Sequence, residues 1–225
     1  MSKILVPATS PEDWKQFLAE PEKQWKSGYS ARSLAYCWQE AGGMPPEIIS
    51  VLGQVSSLKN LKTIFAIPEH KVPLPGGSRA SQNDVWVLGE SSAGLISIAV
   101  EGKVSESFGP IVGEWFKNKT TGKEKRLQFL CNELGFDFPP PLKVRYQLLH
   151  RTVSAILEAK RFRTNEAVMV VHTFSTTDEW LEDFQYFLSL FNLKAKANQA
   201  VSVKLENGIN LSLAWVHGSE NYLKL

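Results

Sequence analysis

The ten residues 95–104, LISIAVEGKV, constrain this chain more than any other segment: they are rich in β-branched and apolar side chains, broken by an acid and a base near the end. Such content reads as a strand. A period of two puts Ile96, Ile98, Val100, Gly102 and Val104 on one face and Leu95, Ser97, Ala99, Glu101 and Lys103 on the other. Residues 84–88 have the same character, and Ser91, Ser92, Ala93 and Gly94 between them form a tight connection. A hairpin closing over 91–94 pairs residue 90 with residue 95. That register carries Asp84 opposite Glu101, so two carboxylates and the Lys103 ammonium converge.

Two adjacent carboxylates repel each other and shift toward the neutral form unless a cation lies between them, and their hard oxygens suit Mg²⁺ or Mn²⁺. Asp84 and Glu101 are therefore the expected metal ligands. A divalent ion so held polarises a phosphate oxygen and acidifies a water, while a neighbouring lysine orients that water and offsets charge on the phosphoryl group. This is the chemistry of phosphodiester hydrolysis.

The surrounding chain alternates helices and strands. Ser30 precedes ARSLAYCWQEA, where Leu34, Cys37, Trp38 and Ala41 recur at helical spacing and Gly42 with Gly43 supplies the stop. Pro45 and Pro46 open a short helix to Leu52, and residues 61–67 read as a strand. The segment 68–82, with three prolines and two glycines, reads as an irregular loop leading into the site. Residues 110–134 read as helix in two pieces broken at Thr121 and Gly122, and three prolines follow at 139–141. A helix starting near Lys143 has Leu149, Val153 and Ile156 on one side and Gln147, Arg151, Ser154 and Glu158 on another. Residues 167–174 read as a buried strand, and Thr176 with Glu179 as a capping box for a helix carrying Trp180, Phe184, Phe187, Leu188 and Phe191. Residues 201–216 alternate around Asn207 and Gly208, a type I′ hairpin signal.

With 225 residues, 43% of them apolar, the chain can bury one sizeable core, so residues 1–225 are expected to form one domain. The first fifteen residues lack a signal peptide's apolar stretch, and no segment approaches the roughly 20 apolar residues of a membrane span. A cytoplasmic protein with no membrane partner is the expectation. Cys37 and Cys131 lie among apolar neighbours, which favours buried thiols, and four scattered histidines speak against a structural zinc site. The net charge of +2, from 25 basic and 23 acidic side chains, does not announce a nucleic-acid binder, so any such activity must rest on a local site.

The order Asp84, a turn, then Glu101, Gly102 and Lys103 on a second strand resembles the signature of the PD-(D/E)XK nuclease superfamily. The resemblance covers roughly residues 30–174, where helix, three strands, helix and strand follow in that family's order. It implies an α/β, restriction-endonuclease-like mixed central sheet flanked by helices, here with a C-terminal helix and β-hairpin extension over 176–217. It also implies a magnesium-dependent nuclease acting on nucleic acid, DNA foremost, with a homodimer among its assemblies. YQLLHR is similar to the glutamine-bearing helix of RecB-like members, which gives Gln147 a role at the catalytic centre beside Asp84, Glu101 and Lys103. Arg151 stands where those members carry a tyrosine, and Asn83 stands where proline precedes the aspartate.

Each candidate has a plainer reading. An acid and a lysine on a strand can be a solvated ion pair, and Gln147, His150 and Arg151 can be ordinary helix residues. Glu40 is a further metal-ligand candidate. Arg79, Ser81 and Gln82 are candidates for phosphate contact, and Lys117, Lys119, Lys123, Lys125 and Arg126 could follow a backbone. The rival functions are a nuclease-fold protein that no longer cuts and serves as a nucleic-acid-binding or assembly module, and a hydrolase of small phosphorylated or acidic ligands.

Overall fold

The computed structural model describes Ile4 and residues 8–225; part of the N-terminal stretch read as lacking a leader, residues 1–3 and 5–7, lies outside these. The helices are α1 (Pro21–Gln24), α2 (Ser30–Ala41), α3 (Pro46–Leu52), α4 (Val112–Trp115), α5 (Thr121–Leu134), α6 (Tyr146–Arg161) and α7 (Leu181–Ser189). The strands are β1 (Lys62–Val72), β2 (Ser81–Ser91), β3 (Gly94–Lys103), β4 (Glu166–Thr173), β5 (Gln199–Lys204) and β6 (Asn210–His217). They form one six-stranded open sheet in the order β1-β2-β3-β4-β6-β5. β3, β4 and β6 run parallel, and the outer pairs are antiparallel. The chain is thus an α/β protein with a mixed sheet, and no helix among the described residues is long and apolar enough to cross a membrane.

Alternation along the central strands divides the core in two. Ile96, Ile98 and Val100 of β3 pack with Val168 and Val170 of β4 against Leu34 and Trp38 of α2 and Ile48 of α3. Ala99, Met169 and Val171 point the other way, into a cluster with Leu149, Val153 and Ile156 of α6 and Phe184 and Phe187 of α7. Helices cover both faces, so every residue of β4 is buried and the strand needs no polar side.

The β2–β3 hairpin has the expected register, with Glu90 opposite Leu95 and Val85 opposite Val100, although Ser91 also pairs with Gly94 and the turn shrinks to two residues. Four other expectations require correction. β1 runs on through Pro68 to Val72, and β2 begins at Ser81, so the irregular loop is confined to 73–80. Proline is tolerated there because β1 is an edge strand. The break before α5 falls earlier than expected, and Thr120 caps that helix by accepting from the Lys123 amide at 3.2 Å. α7 starts after Trp180, which lies at φ +70, rather than at a Thr176 capping box. At the last hairpin Gly208 lies at φ +86, but Asn207 is not among the positive-φ residues. The Gly208 amide bonds the Leu205 carbonyl at 3.0 Å and the Leu205 amide bonds that of Ile209 at 2.8 Å, an ordinary turn closed by a left-handed glycine instead of type I′.

The shortened loop is clamped onto α5. The Arg126 guanidinium donates to the carbonyls of Pro75, Leu74 and Gly77 at 2.9, 3.3 and 3.2 Å. Gly76 sits at φ +82, and a Cβ there would stand 2.1 Å from the Gly122 carbonyl oxygen. We expect Gly76→Ala to destabilise the protein by about 2–4 kcal/mol, through backbone clash and a conformation that L-residues avoid. Denaturant titration would measure this, and a wild-type midpoint would show that the loop does not need its close seat on α5.

Candidate active site at the end of β3

α6 lays Gln147, Arg151, Ser154 and Glu158 along one stripe against the sheet. Far from being a free surface, this stripe is a polar seam beneath the helix. The Ser154 hydroxyl donates to Asn83 Oδ1 at 2.7 Å, and Glu158 Oε1 lies 3.6 Å from His70 Nε2. At the other end the seam meets β3. Lys103 Nζ donates to Glu101 Oε1 at 2.8 Å and to Gln147 Oε1 at 3.3 Å, while Gln147 Nε2 donates to the same Glu101 oxygen at 2.8 Å. Arg151 Nε donates to Glu101 Oε2 at 2.5 Å, and its Nη2 lies 3.9 Å from Asp84 Oδ1. Asp84 Oδ2 accepts from the Gly102 amide at 2.7 Å. The pairing register and helical spacing thus bring Asp84, Glu101, Lys103 and Gln147 to one pocket of about 410 Å³, as the sequence predicts.

A third acid joins them. Glu69 falls on β1 between the Pro68–Val85 and His70–Asn83 pairs, at the register position of Asp84. Its backbone lies at φ +53, and its carboxylate lines the same pocket while accepting from Gln82 Nε2 at 2.5 Å. Reading 68–82 as a loop hid this residue. Extending β1 across Pro68 would have found it, since the register does the rest.

In this cluster the carboxylates of Glu69, Asp84 and Glu101 meet the cations of Lys103 and Arg151, and the imbalance falls unevenly. Burial opposes charge on Glu101, yet Arg151 and then Lys103 outweigh it and hold that carboxyl low, at about 2. Burial followed by repulsion from Glu101 raises Asp84, and burial followed by repulsion from Asp84 raises Glu69. The pocket therefore presents one firmly ionised, fully bonded carboxylate and two whose charge is poorly compensated.

Other predicted contacts lie elsewhere. Glu40 accepts from the Tyr222 hydroxyl at 2.9 Å and lines a different pocket. Ser81 is buried in β2, 2.9 Å from His150 Nδ1, and Gln82 holds Glu69, so neither faces phosphate. His150 is kept neutral by burial and by the neighbouring Arg151. Only Arg79 of that loop group stays exposed. In the basic run, Arg126 clamps a loop and Lys123 donates to the Trp115 carbonyl at 2.6 Å.

On the opposite face of the sheet, Cys37, Glu47 and His172 bring their ligand atoms within 4.8 Å of one another. Trp38 Nε1, which can only donate, reaches His172 Nδ1 at 3.3 Å. Burial keeps His172 neutral, so its proton sits on Nε2, 3.2 Å from Glu47 Oε1, and the Cys37 thiol donates to that oxygen at 3.5 Å. This chain of hydrogen bonds leaves the imidazole no lone pair for a metal. Burial, and then the Glu47 charge, also raise the Cys37 thiol, against any nucleophilic role.

Fold and site together define an α/β protein with an acid, acid, lysine pocket at the C-terminal end of a central strand. The chain belongs to the family described as a domain of unknown function (DUF6946), which it matches over residues 7–220. No curated protein and no solved structure matches it.

Two stability measurements probe the pocket. Asp84 has a folded-state value raised above its unfolded one, so the folded state binds this proton more tightly and stability falls as pH rises from about 4 to about 7. In metal-free buffer at pH 8, Asp84→Asn should be more stable than wild type by about 1–3 kcal/mol, a gain that fades as pH falls toward 4. A gain independent of pH would mean that Asp84 is not the strained acid. Arg151→Ala, which strips Glu101 of its closest cation, should cost about 3–5 kcal/mol at neutral pH. A loss below 1 kcal/mol would show that Lys103 alone balances Glu101.

Proposed function

We propose that this protein hydrolyses phosphodiester bonds of nucleic acid, DNA foremost, with a bound Mg²⁺ or Mn²⁺, at a PD-(D/E)XK-type site on a restriction-endonuclease-like sheet. The observation that carries the reading is the convergence of Asp84, Glu101, Lys103 and Gln147 from three elements on one pocket. An ion pair on a solvated strand would not be 3–4% exposed, as Glu101 and Lys103 are, nor be braced by a helix glutamine.

The donors fit a hard divalent cation. All are carboxylate oxygens, and the raised protonation of Asp84 and Glu69 marks negative charge that lacks a partner. Asp84 and Glu101 would hold the ion, with Glu69 as a third acid; in the present arrangement Arg151 occupies Glu101 Oε2, and Lys103 and Gln147 share Oε1, so an ion would take its place beside these donors. When bound, such an ion polarises the phosphate and lowers the pKa of a coordinated water. The chain's own groups do the remainder. Lys103 Nζ has two of its three donors directed to Glu101 and Gln147, leaving one for the attacking water or a phosphoryl oxygen. Gln147 positions that ammonium by bonding both Lys103 and Glu101, and Arg151 keeps Glu101 ionised.

Purified protein incubated with mixed nucleic acids in Mn²⁺ or Mg²⁺ should cut them. Lys103→Ala should slow cleavage by about two orders of magnitude or more while sparing affinity, because a donor to the transition state acts after substrate is bound. Cleavage at the wild-type rate in Lys103→Ala would move the active site elsewhere. Absence of cleavage by wild type in either metal would sink the nuclease reading.

A further inference from the structure

Resting on that nuclease reading, we propose that the pocket takes an unpaired nucleic-acid strand, one base of which stacks on Tyr29, and does not admit intact duplex. Three observations carry it. The first is depth. Glu101 and Lys103 lie at the floor of a concave pocket of about 410 Å³, within the roughly 300–1,000 Å³ of sites that enclose one small molecule. A phosphodiester must enter that hollow to reach Lys103, which favours a nucleotide free of a duplex.

The second is the wall. Leu18, Lys23, Tyr29 and Ala31, from the chain before and at the start of α2, also line the pocket. This stretch of chain is pinned: the Ser30 amide and hydroxyl donate to Glu106 Oε1 at 2.8 and 2.9 Å, and Trp25 Nε1 donates to Glu12 at 3.0 Å. A duplex would have to pass a fixed obstacle, whereas a single strand can thread between wall and sheet.

The third is the character of the rim. Tyr29 is one of few large apolar side chains left exposed, at 42%, and it stands at the mouth of a site that handles phosphate. Lys26 Nζ lies 5.9 Å from its ring centre, adding a cation beside the aromatic face. Rings of this kind bind bases without regard to sequence. Both forms draw on cations along the backbone, but a duplex carries one phosphate charge per roughly 1.7 Å of axis against one per roughly 3.4 Å for a single strand, so it calls for more unpaired cations. Here Lys23 is spent on Glu20 at 2.5 Å and Lys15 on Glu22 at 3.3 Å, and the whole chain carries only +2.

The test uses the full chain and a fluorescein-labelled 15-mer DNA, single-stranded or annealed to its complement, with anisotropy read in Ca²⁺ and cleavage read separately in Mn²⁺. The single strand should bind at least tenfold more tightly than the duplex. Tyr29→Ala should weaken single-strand binding about tenfold, the scale of one lost base stack, with an unchanged melting temperature; Tyr29→Phe, which keeps the ring, should restore it. Equal affinity for the two forms, no binding of either, or wild-type affinity in Tyr29→Ala would overturn the proposal. Cleavage that ignores strandedness also overturns it while leaving the nuclease reading intact. The predicted binding preference without cleavage of any substrate supports the strand site and removes the nuclease reading.

Discussion

The contact between Arg151 and Glu101 is the constraint around which the rest is arranged. A guanidinium and a carboxylate buried 2.5 Å apart, on a helix and a central strand, fix how α6 lies across the sheet. Burying both charges costs several kcal/mol that their attraction recovers only with good geometry, and an apolar pair of similar size would often serve stability as well. The pair is nevertheless extended into a seam: Gln147 and Lys103 at one end, Ser81 and Asp84 beside it, Ser154 with Asn83 and Glu158 with His70 beyond. A core built for stability alone has little reason for such a seam. One whose polar groups must be held rigidly at the floor of a pocket does.

The register amplifies this. Gly102 pairs with His172 and Lys103 with Thr173, so the Trp38, His172, Glu47 and Cys37 hydrogen-bond chain sits at the same end of the sheet as the acidic pocket, on the other face. Both faces turn polar where β3 and β4 end, the pocket face against side chains of α6 and the far face against side chains of α2 and α3. On the pocket face the charges outnumber their partners. On the far face each proton of that hydrogen-bond chain has an acceptor.

Much of this was legible in the residues. Alternation in β3 assigned Glu101 and Lys103 to one face, and the turn length placed Asp84 opposite Glu101. Helical spacing put Gln147 and Arg151 on one side of α6. Three things were not legible, each for a local reason. Glu69 was masked because Pro68 signals a break, and only the topology reveals that β1 is an edge where proline is harmless. Arg151 looked like a departure from a tyrosine pattern, and its importance emerges only once Glu101 is seen to need a second cation. The start of α7 follows tertiary ties, with Asp178 bonded to Trp215 and His217, in place of the local capping signal at Thr176.

Pro68 and Glu69 have a consequence outside the pocket. Open sheets risk joining edge to edge with other chains, because an outer strand offers a ladder of free amides and carbonyls. β1 is such an outer strand of eleven residues, long enough to template a neighbour. Its ladder slips register between Thr63 and Phe65, lacks an amide at Pro68, turns left-handed at Glu69, and is met near its middle by Ile4 bridging to Ala66. No long flat stretch of it remains for another strand to copy. The same two residues that bring a third carboxylate to Asp84 therefore also interrupt the outer ladder on which another chain could pair.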